Sequence, residues 1–170
     1  MKFYLTFDPN KCCACHACVV ACMDQNDTDV SNGELPLRKA YDVELKKENE
    51  LNCVYISASC QHCTDAPCIF ACPCGCISKD FITGMTINDS KNCIGCRSCA
   101  MACPFGAPRF QPNGKMEKCD GCYIRLKNGL EPACVRACSF GALKCMNEEE
   151  YKRSNDVLAL NALVKTLYKF

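Results

Sequence analysis

Cys93-Ile94-Gly95-Cys96-Arg97-Ser98-Cys99-Ala100-Met101-Ala102-Cys103-Pro104 decides how the rest of the chain is read. Its spacing is C-x2-C-x2-C-x3-C-P, which holds [4Fe–4S] cubes and whose fourth cysteine ligates the other cluster of a pair. Three thiolates three residues apart, on a tight loop at Gly95, can reach three irons of one cube. The fourth is expected on the short helix that follows, aimed elsewhere. A tetrahedral zinc site usually draws on two C-x2-C pairs far apart in sequence, so three evenly stepped cysteines favour a cube over zinc.

The pattern recurs four times along the chain. The first group is Cys12, Cys15, Cys18 and Cys22; the second is Cys60, Cys63, Cys68 and Cys72, closed by Pro73. The third is the stretch above, and the fourth is Cys119, Cys122, Cys134 and Cys138, with a longer insertion before Cys134. Four groups of four match what four cubes require. Each group ends in C-x3-C, about one helical turn, which suits a ligand carried on a helix.

The composition agrees. The chain has 21 cysteines in 170 residues, about 12%, above the level that marks a cysteine-organised chain. Disulfide frameworks belong to secreted proteins, and Met1 to Phe7 has no signal-peptide pattern, its short apolar run ending at Asp8-Pro9. No twin-arginine pair and no apolar run near the ~20 residues of a membrane helix is present. The expectation is a reduced, cytoplasmic location, with passage across a membrane only on a partner that carries the signal. The formal charge is +1, but four oxidised cubes, each about −2 with its thiolates, would bring the loaded protein to about −7. The sequence charge therefore says nothing for nucleic acid or membrane, and no basic patch interleaved with aromatics is present.

In chain order, Lys2 to Phe7 reads as an edge strand, Asp8-Pro9-Asn10 as a turn and Ala17 to Gln25 as a helix carrying Cys22. Asn26 to Arg38 reads as a surface loop. Ala40 to Leu45 and Asn52 to Ala58 read as strands joined by a solvated charged tip, Lys46 to Glu50. A helix over Pro67 to Cys72 is stopped by Pro73. Ile77-Ser78 can pair with Met85-Thr86-Ile87, and Pro108 to Gln111 with Lys115 to Lys118. Tyr123 to Ala133 is an insertion, Pro132 can open the helix carrying Cys134 and Cys138, and Ala142 to Met146 is a closing strand. Val157, Leu160, Leu163, Val164, Leu167 and Tyr168 recur at helical spacing behind Asn155, an expected cap. That apolar stripe needs a surface to cover, on this chain or on a partner.

The four groups and their order, with Gln61-His62-Cys63, Ala66-Pro67-Cys68 and Cys119-Asp120-Gly121-Cys122, resemble the four-cluster iron–sulfur subunits of the DMSO reductase family. That family includes the electron-transfer subunits of formate dehydrogenases, DMSO reductases and thiosulfate reductases. The resemblance covers roughly residues 1–146. It implies an α+β fold of two pseudo-twofold-related bacterial-ferredoxin-like modules with small antiparallel hairpins and short helices. The outer module would be 1–58 plus 105–146, the inner 59–104, and 147–170 a C-terminal amphipathic helical extension. It implies four clusters: Cys12, Cys15 and Cys18 with Cys138; Cys119, Cys122 and Cys134 with Cys22; Cys60, Cys63 and Cys68 with Cys103; Cys93, Cys96 and Cys99 with Cys72. The first would face a large catalytic molybdenum or tungsten bis-pterin subunit. Some relatives have tryptophan at the second cysteine of the third group and hold a three-iron cluster; Cys96 is present, so four cubes are expected.

The sequence departs from the usual pattern at Met23 and Ser139, where a proline often follows the group, and at Cys74 and Cys76. Cys13, Cys53, Cys74, Cys76 and Cys145 are left over and read as small apolar residues or weak donors to cluster sulfurs, with Cys74 or Cys76 as a substitute ligand beside Cys72 the sharper alternative. His16 and His62 lie in cluster loops; Rieske-type centres use paired histidines on one iron, so these read as packing or hydrogen-bonding groups able to tune a cluster. Arg97 and Lys118 read similarly, or as solvated surface. No G-x-G-x-x-G, P-loop or paired nucleophile and base is present, which excludes a complete enzyme. Three functions remain: an electron-transfer subunit of a molybdenum, tungsten or hydrogenase-type complex, a free polyferredoxin, and a zinc or disulfide scaffold. Further electron-transfer subunits are also expected as partners, or self-assembly of complexes through the terminal helix.

Overall fold

The computed structural model describes residues 2–47 and 50–154. The protein is α+β. Its strands are β1 (Phe3–Phe7), β2 (Lys39–Lys47), β3 (Glu50–Ala58), β4 (Ile77–Lys79), β5 (Thr86–Asn88), β6 (Arg109–Phe110), β7 (Met116–Glu117) and β8 (Leu143–Asn147). They form two-stranded antiparallel sheets, β1 with β8, β2 with β3, β4 with β5 and β6 with β7. The helices are α1 (Ala17–Gln25), α2 (Pro67–Phe70), α3 (Ser98–Ala102), α4 (Tyr123–Lys127), α5 (Ala133–Arg136) and α6 (Glu148–Arg153).

Most helices are a turn or so long because the sequence punctuates them. Pro67 stands at the first position of α2 and Pro132 caps α5, where the missing N–H costs nothing. The shortness corrects one expectation. Of the fourth cysteines of the groups, Cys22 alone lies inside a helix; Cys103 is the residue after α3, and Cys72 and Cys138 lie just past α2 and α5. Among the described residues, α1 packs against α5 and α2 against α3. Thus the helix after the first cysteine group packs on that of the fourth, and that of the second on that of the third.

β1 and β8 bring the two ends of the described residues together, Phe3 opposite Asn147 and Phe7 opposite Leu143. α6 follows directly, held by a capping box in which Asn147 accepts from the Glu150 amide and Glu150 from the Asn147 amide. Tyr151 then stacks on Tyr4, ring centroids 4.4 Å apart. The β2–β3 hairpin is longer than its pattern suggests: Lys46, Lys47 and Glu50 are taken into the ladder, because pairing continues wherever two extended strands already lie in register. Its outer part stands away from the body. Tyr41, Val43 and Leu45, two apart on one face, are all exposed.

The segment Asn26 to Arg38 is only partly the surface loop expected. Val30–Asn32 forms a 3-10 turn, but Leu37 and Arg38 are buried. Gln111 fastens this segment, accepting from the Leu35 amide at 2.8 Å and donating to the Leu35 carbonyl at 3.2 Å. The insertion Tyr123 to Ala133 holds α4, whose Lys127 reaches Asp80 at 2.6 Å in the turn between β4 and β5. Burial alone would raise the Asp80 carboxyl, but Lys127 and the Thr83 hydroxyl and amide outweigh it and hold the group below its ordinary value. The expected terminal helix over 155–168 lies outside the described residues.

Among the described residues, three small packed clusters form the core. Cys18, Val19, Cys134, Val135 and Leu143 make one, with Cys138 against it. Cys60, Ala107 and Cys119 make another, with Cys103 against it. Ala66, Cys68, Ile77, Cys99 and Met116 make the third, with Cys63, Cys72 and Cys93 against it. Gly95, at φ +68°, fits the third cysteine loop under the β6–β7 hairpin; a Cβ there would lie 2.6 Å from the Gly114 carbonyl oxygen. Gly114 itself, at φ +76°, has open space around it. Gly114→Ala is therefore expected to lose about 1 kcal/mol from the left-handed backbone alone. Gly95→Ala should lose a further ~1–3 kcal/mol, because the hairpin must move. Denaturant titration of the anaerobically purified protein checks the order; equal midpoints would contradict it.

Candidate metal centres

The four cysteine loops share one backbone device. The residue two places after the first cysteine is left-handed in every case: Ala14 (φ 51°), His62 (φ 49°), Gly95 (φ 68°) and Gly121 (φ 72°). His16 and Arg97, between the second and third cysteines of their groups, are left-handed too. Non-glycine residues pay about 1–3 kcal/mol for this conformation, and such strain gathers at functional sites. It turns backbone N–H groups inward. Ala14 N–H points at Cys12 Sγ (3.5 Å), His62 N–H at Cys60 Sγ (3.4 Å) and Gly121 N–H at Cys119 Sγ (3.4 Å). Cys93 Sγ receives the Met116 N–H from β7 at 3.3 Å. Fourth cysteines are served as well: Cys76 N–H to Cys72 Sγ at 3.3 Å, Ala107 N–H to Cys103 Sγ at 3.5 Å, and the Asn26 side-chain amide to Cys22 Sγ at 3.6 Å.

The fold brings together cysteines far apart in sequence. Cys22 has Cys119, Cys134 and Cys122 as electrostatic neighbours. Cys68 neighbours Cys103 and Cys63, and Cys60 neighbours Cys119 and Cys68. Cys99 neighbours Cys72, Cys93 and Cys96. Those four line one cavity, together with Cys74 and Cys76. Cys138 packs against the core cluster that holds Cys18, while Cys12 is half-buried and Cys15 exposed. None of the 21 cysteines forms a disulfide.

Among the described residues, no three His, Cys, Asp or Glu side chains close on a point that would hold a single metal ion. A cube makes no such demand, since each of its four irons takes one thiolate and the ligands stand around its perimeter. Burial pushes the thiols of Cys60 and Cys99 up to about 11 and that of Cys122 to about 12, and raises Cys22 and Cys134 as well. Buried thiols stay protonated until a cation replaces the proton. The donor set therefore fits an iron–sulfur group: all-sulfur ligands, a low-dielectric site and N–H groups aimed at sulfur.

Two buried cations lie among these thiols. Lys118, read from sequence as a tuning or surface residue, is 2% exposed. Its ammonium donates to the carbonyls of Thr86 and Cys119, and its charge acts on Cys60 and Cys68. Arg38, which no local pattern singles out, is 3% exposed and donates to Ser57 and Ser59. His62 links two loops: the Thr86 N–H donates to its Nδ1 at 3.1 Å, so the ring proton is on Nε2, 3.6 Å from Cys119 Sγ. Burial, aided by the Lys118 charge, holds this imidazole down to about 3, hence neutral. His16 is exposed, and Arg97 is exposed with its guanidinium 5.3 Å above the Phe110 ring.

Comparison with known proteins gives a consistent result. Residues 51–148 match the family described as 4Fe-4S dicluster domain. The sequence is 39% identical over 147 residues to the B subunit of the anaerobic dimethyl sulfoxide reductase of Haemophilus influenzae, covering 81% of this protein and 70% of that one. It is 36% identical over 157 residues to the thiosulfate reductase electron transfer subunit of Salmonella typhi, covering 89% and 80%. It is 33% identical over 160 residues to the formate dehydrogenase iron-sulfur subunit of Haemophilus influenzae, covering 85% of this protein and 51% of the relative. No helix among the described residues is long and apolar enough to cross a membrane.

Cys76 gives its backbone N–H to Cys72 Sγ, and its thiol also stands beside that of Cys72 and leans toward the Cys74 carbonyl at 3.9 Å, but Cys93, Cys96 and Cys99 already gather at Cys72 without it. Cys74→Ser and Cys76→Ser are therefore expected to keep the iron content and visible spectrum unchanged. A loss of about four irons per chain in either, one cube's worth, would make that residue a ligand.

Proposed function

This protein belongs to the 4Fe-4S dicluster family of iron–sulfur electron-transfer subunits, and from that premise we propose that it carries four [4Fe–4S] clusters in a row and relays single electrons for a catalytic partner. The ligand sets are Cys12, Cys15, Cys18 and Cys138; Cys119, Cys122, Cys134 and Cys22; Cys60, Cys63, Cys68 and Cys103; Cys93, Cys96, Cys99 and Cys72. Bound cubes supply the one-electron carriers. The protein's own residues space them, exclude water and set the charge around them.

The observation that carries this reading is the make-up of the core. Each packed cluster mixes cysteines from two of the sets: Cys18 and Cys138 with Cys134, then Cys119 with Cys60 and Cys103, then Cys63 and Cys68 with Cys72, Cys93 and Cys99. That supports a linear order in the sequence just given. The α1–α5 and α2–α3 contacts support the pairing of first group with fourth and second with third. They favour an outer module, 1–58 plus 105–146, and an inner module, 59–104, related by a pseudo-twofold axis, with 147–170 as a C-terminal helical extension.

The partner would be a large molybdenum or tungsten bis-pterin subunit of the kind the family serves, met in a reduced cytoplasmic compartment. The end of the row held by Cys12, Cys15 and Cys18 is the one assigned to it, and Cys15 and His16 are exposed there. An extended arm with Tyr41, Val43, Leu45 and Leu51 exposed favours a permanent interface over a free shuttle. The stripe over 157–168 would add a docking or self-assembly element.

An anaerobic preparation is expected to contain about sixteen irons per chain, four for each cube. Cys103→Ser should change the same EPR signal as Cys63→Ser and leave the signal altered by Cys96→Ser intact; the opposite match would refute the crossed pairing. Removing residues 155–170 should reduce co-purification with the large partner without lowering the iron count. Undiminished co-purification would take the docking role away from that segment.

A further inference from the structure

Arg38 is a buried charge with no opposite charge beside it among the described residues. It is 3% exposed, in the segment leading into β2. One guanidinium nitrogen donates to Ser57 Oγ at 2.8 Å and another to Ser59 Oγ at 2.7 Å. Its Nε is buried with no hydrogen-bond partner. Among the described residues no carboxylate lies within ion-pair distance of it. Neutral hydroxyls do not compensate a guanidinium taken out of water, and buried charges are ordinarily paired. The groups that surround it are thiols. Cys134 is its strongest electrostatic neighbour, followed by Cys119, Cys18 and Cys22.

These four thiols divide between two of the ligand sets assigned above. Cys119, Cys134 and Cys22 belong to one, and Cys18 to its neighbour. The link to Cys18 is direct in chemical terms. Ser57 Oγ lies 3.3 Å from Cys18 Sγ. Because that oxygen already accepts from Arg38, its own proton is free to be given to the sulfur. Hydrogen bonds to cluster sulfurs and nearby charge are the means by which a protein sets a cluster's potential.

We propose that Arg38 is the shared counter-charge of two adjacent cube sites, raising the potential of both: through Ser57 at the site of Cys18, and through space at the site of Cys134. It is a positioning residue, and the inference rests on the ligand sets above. Lys118 has a comparable setting between the Cys119 and Cys60 loops, with two carbonyls in place of two hydroxyls. Arg38 is the one joined to a cysteine sulfur through a hydroxyl, by way of Ser57.

The test is an EPR-monitored redox titration of the full-length, cluster-loaded protein, beside an iron count. With Arg38→Gln, two of the four midpoint potentials are expected to fall by at least about 59 mV, a tenfold shift in the reduced-to-oxidised ratio of a one-electron couple. The other two should stay in place, and Arg38→Lys should restore most of the loss. All four unchanged, or all four moved equally, overturns the proposal. Should Arg38→Gln fail to retain iron, Ser57→Ala decides: it keeps the charge, and one potential alone should fall, while none falling overturns the link. A wild-type protein without cubes at these two sites removes the ligand assignment and this inference together. Cubes present with potentials indifferent to Arg38 removes this inference alone.

Discussion

Thiols occupy the interior of this protein where a domain of its length would ordinarily bury leucine and phenylalanine. Among the described residues the largest fully buried side chains are Lys118, Met85, Met116, Thr83, Thr86 and Pro132. Phe70, Phe81 and Phe140 lie on the outside. The apolar clusters that exist are small, and a cysteine belongs to each of them. Apolar burial of that extent is thin support for a protein this long. A group that binds several thiolates at once makes up the difference, because its binding energy becomes folding energy. The rest of the architecture follows from presenting sulfur to such a group. α2, α3 and α5 are a turn or so long, since each has only to aim one cysteine, and the small sheets act as clips that hold loops at fixed distances.

The same constraint explains the polar interior. A pair of buried cations, Arg38 and Lys118, would be costly in a protein whose core was hydrocarbon. Beside groups that carry about −2 each they become the favourable choice, and the cost falls instead on the protein without its clusters. The backbone bears a related strain. Ala14, His16, His62 and Arg97 hold left-handed conformations that side chains with a Cβ resist. In return, N–H groups that would otherwise bond to carbonyls point at sulfur. The histidines and the arginine singled out by sequence are therefore first of all loop-shaping residues, and His62 adds a donor between two loops.

The exposed surface tells a compatible story. The outer part of the β2–β3 hairpin, with Tyr41, Val43 and Leu45 exposed at alternate positions, carries none of the cysteines of the four groups. Its exposure makes sense for a protein that works inside a larger assembly. Family membership points the same way, since the relatives are subunits of multi-chain reductases and dehydrogenases by name.

Much of this was legible in one dimension. The cysteine spacing announced the groups, and most strands were visible from alternation between turn residues, because a strand of three to five residues depends on its neighbours in sequence as much as on its partner. Helix lengths were overread, since C-x3-C suggests a full turn whereas Pro73, Pro104 and the loop geometry end α2 and α3 before the last cysteine. Cys74 and Cys76 were visible as extras, but only the fold puts them in the same cavity as Cys72, Cys93, Cys96 and Cys99. Arg38 and Lys118 were not legible as buried: an arginine after Leu-Pro-Leu and a lysine beside a cysteine look like surface, and nothing local records that strands and loops from elsewhere will close over them. Sequence by itself determined that this is an iron–sulfur protein, because that depends on residue type and short spacing. Tertiary structure alone decided which charges stand between the sites, because a charge is defined by what surrounds it, and its surroundings here come from Ser57, Ser59 and Thr86, remote in the chain and near in space.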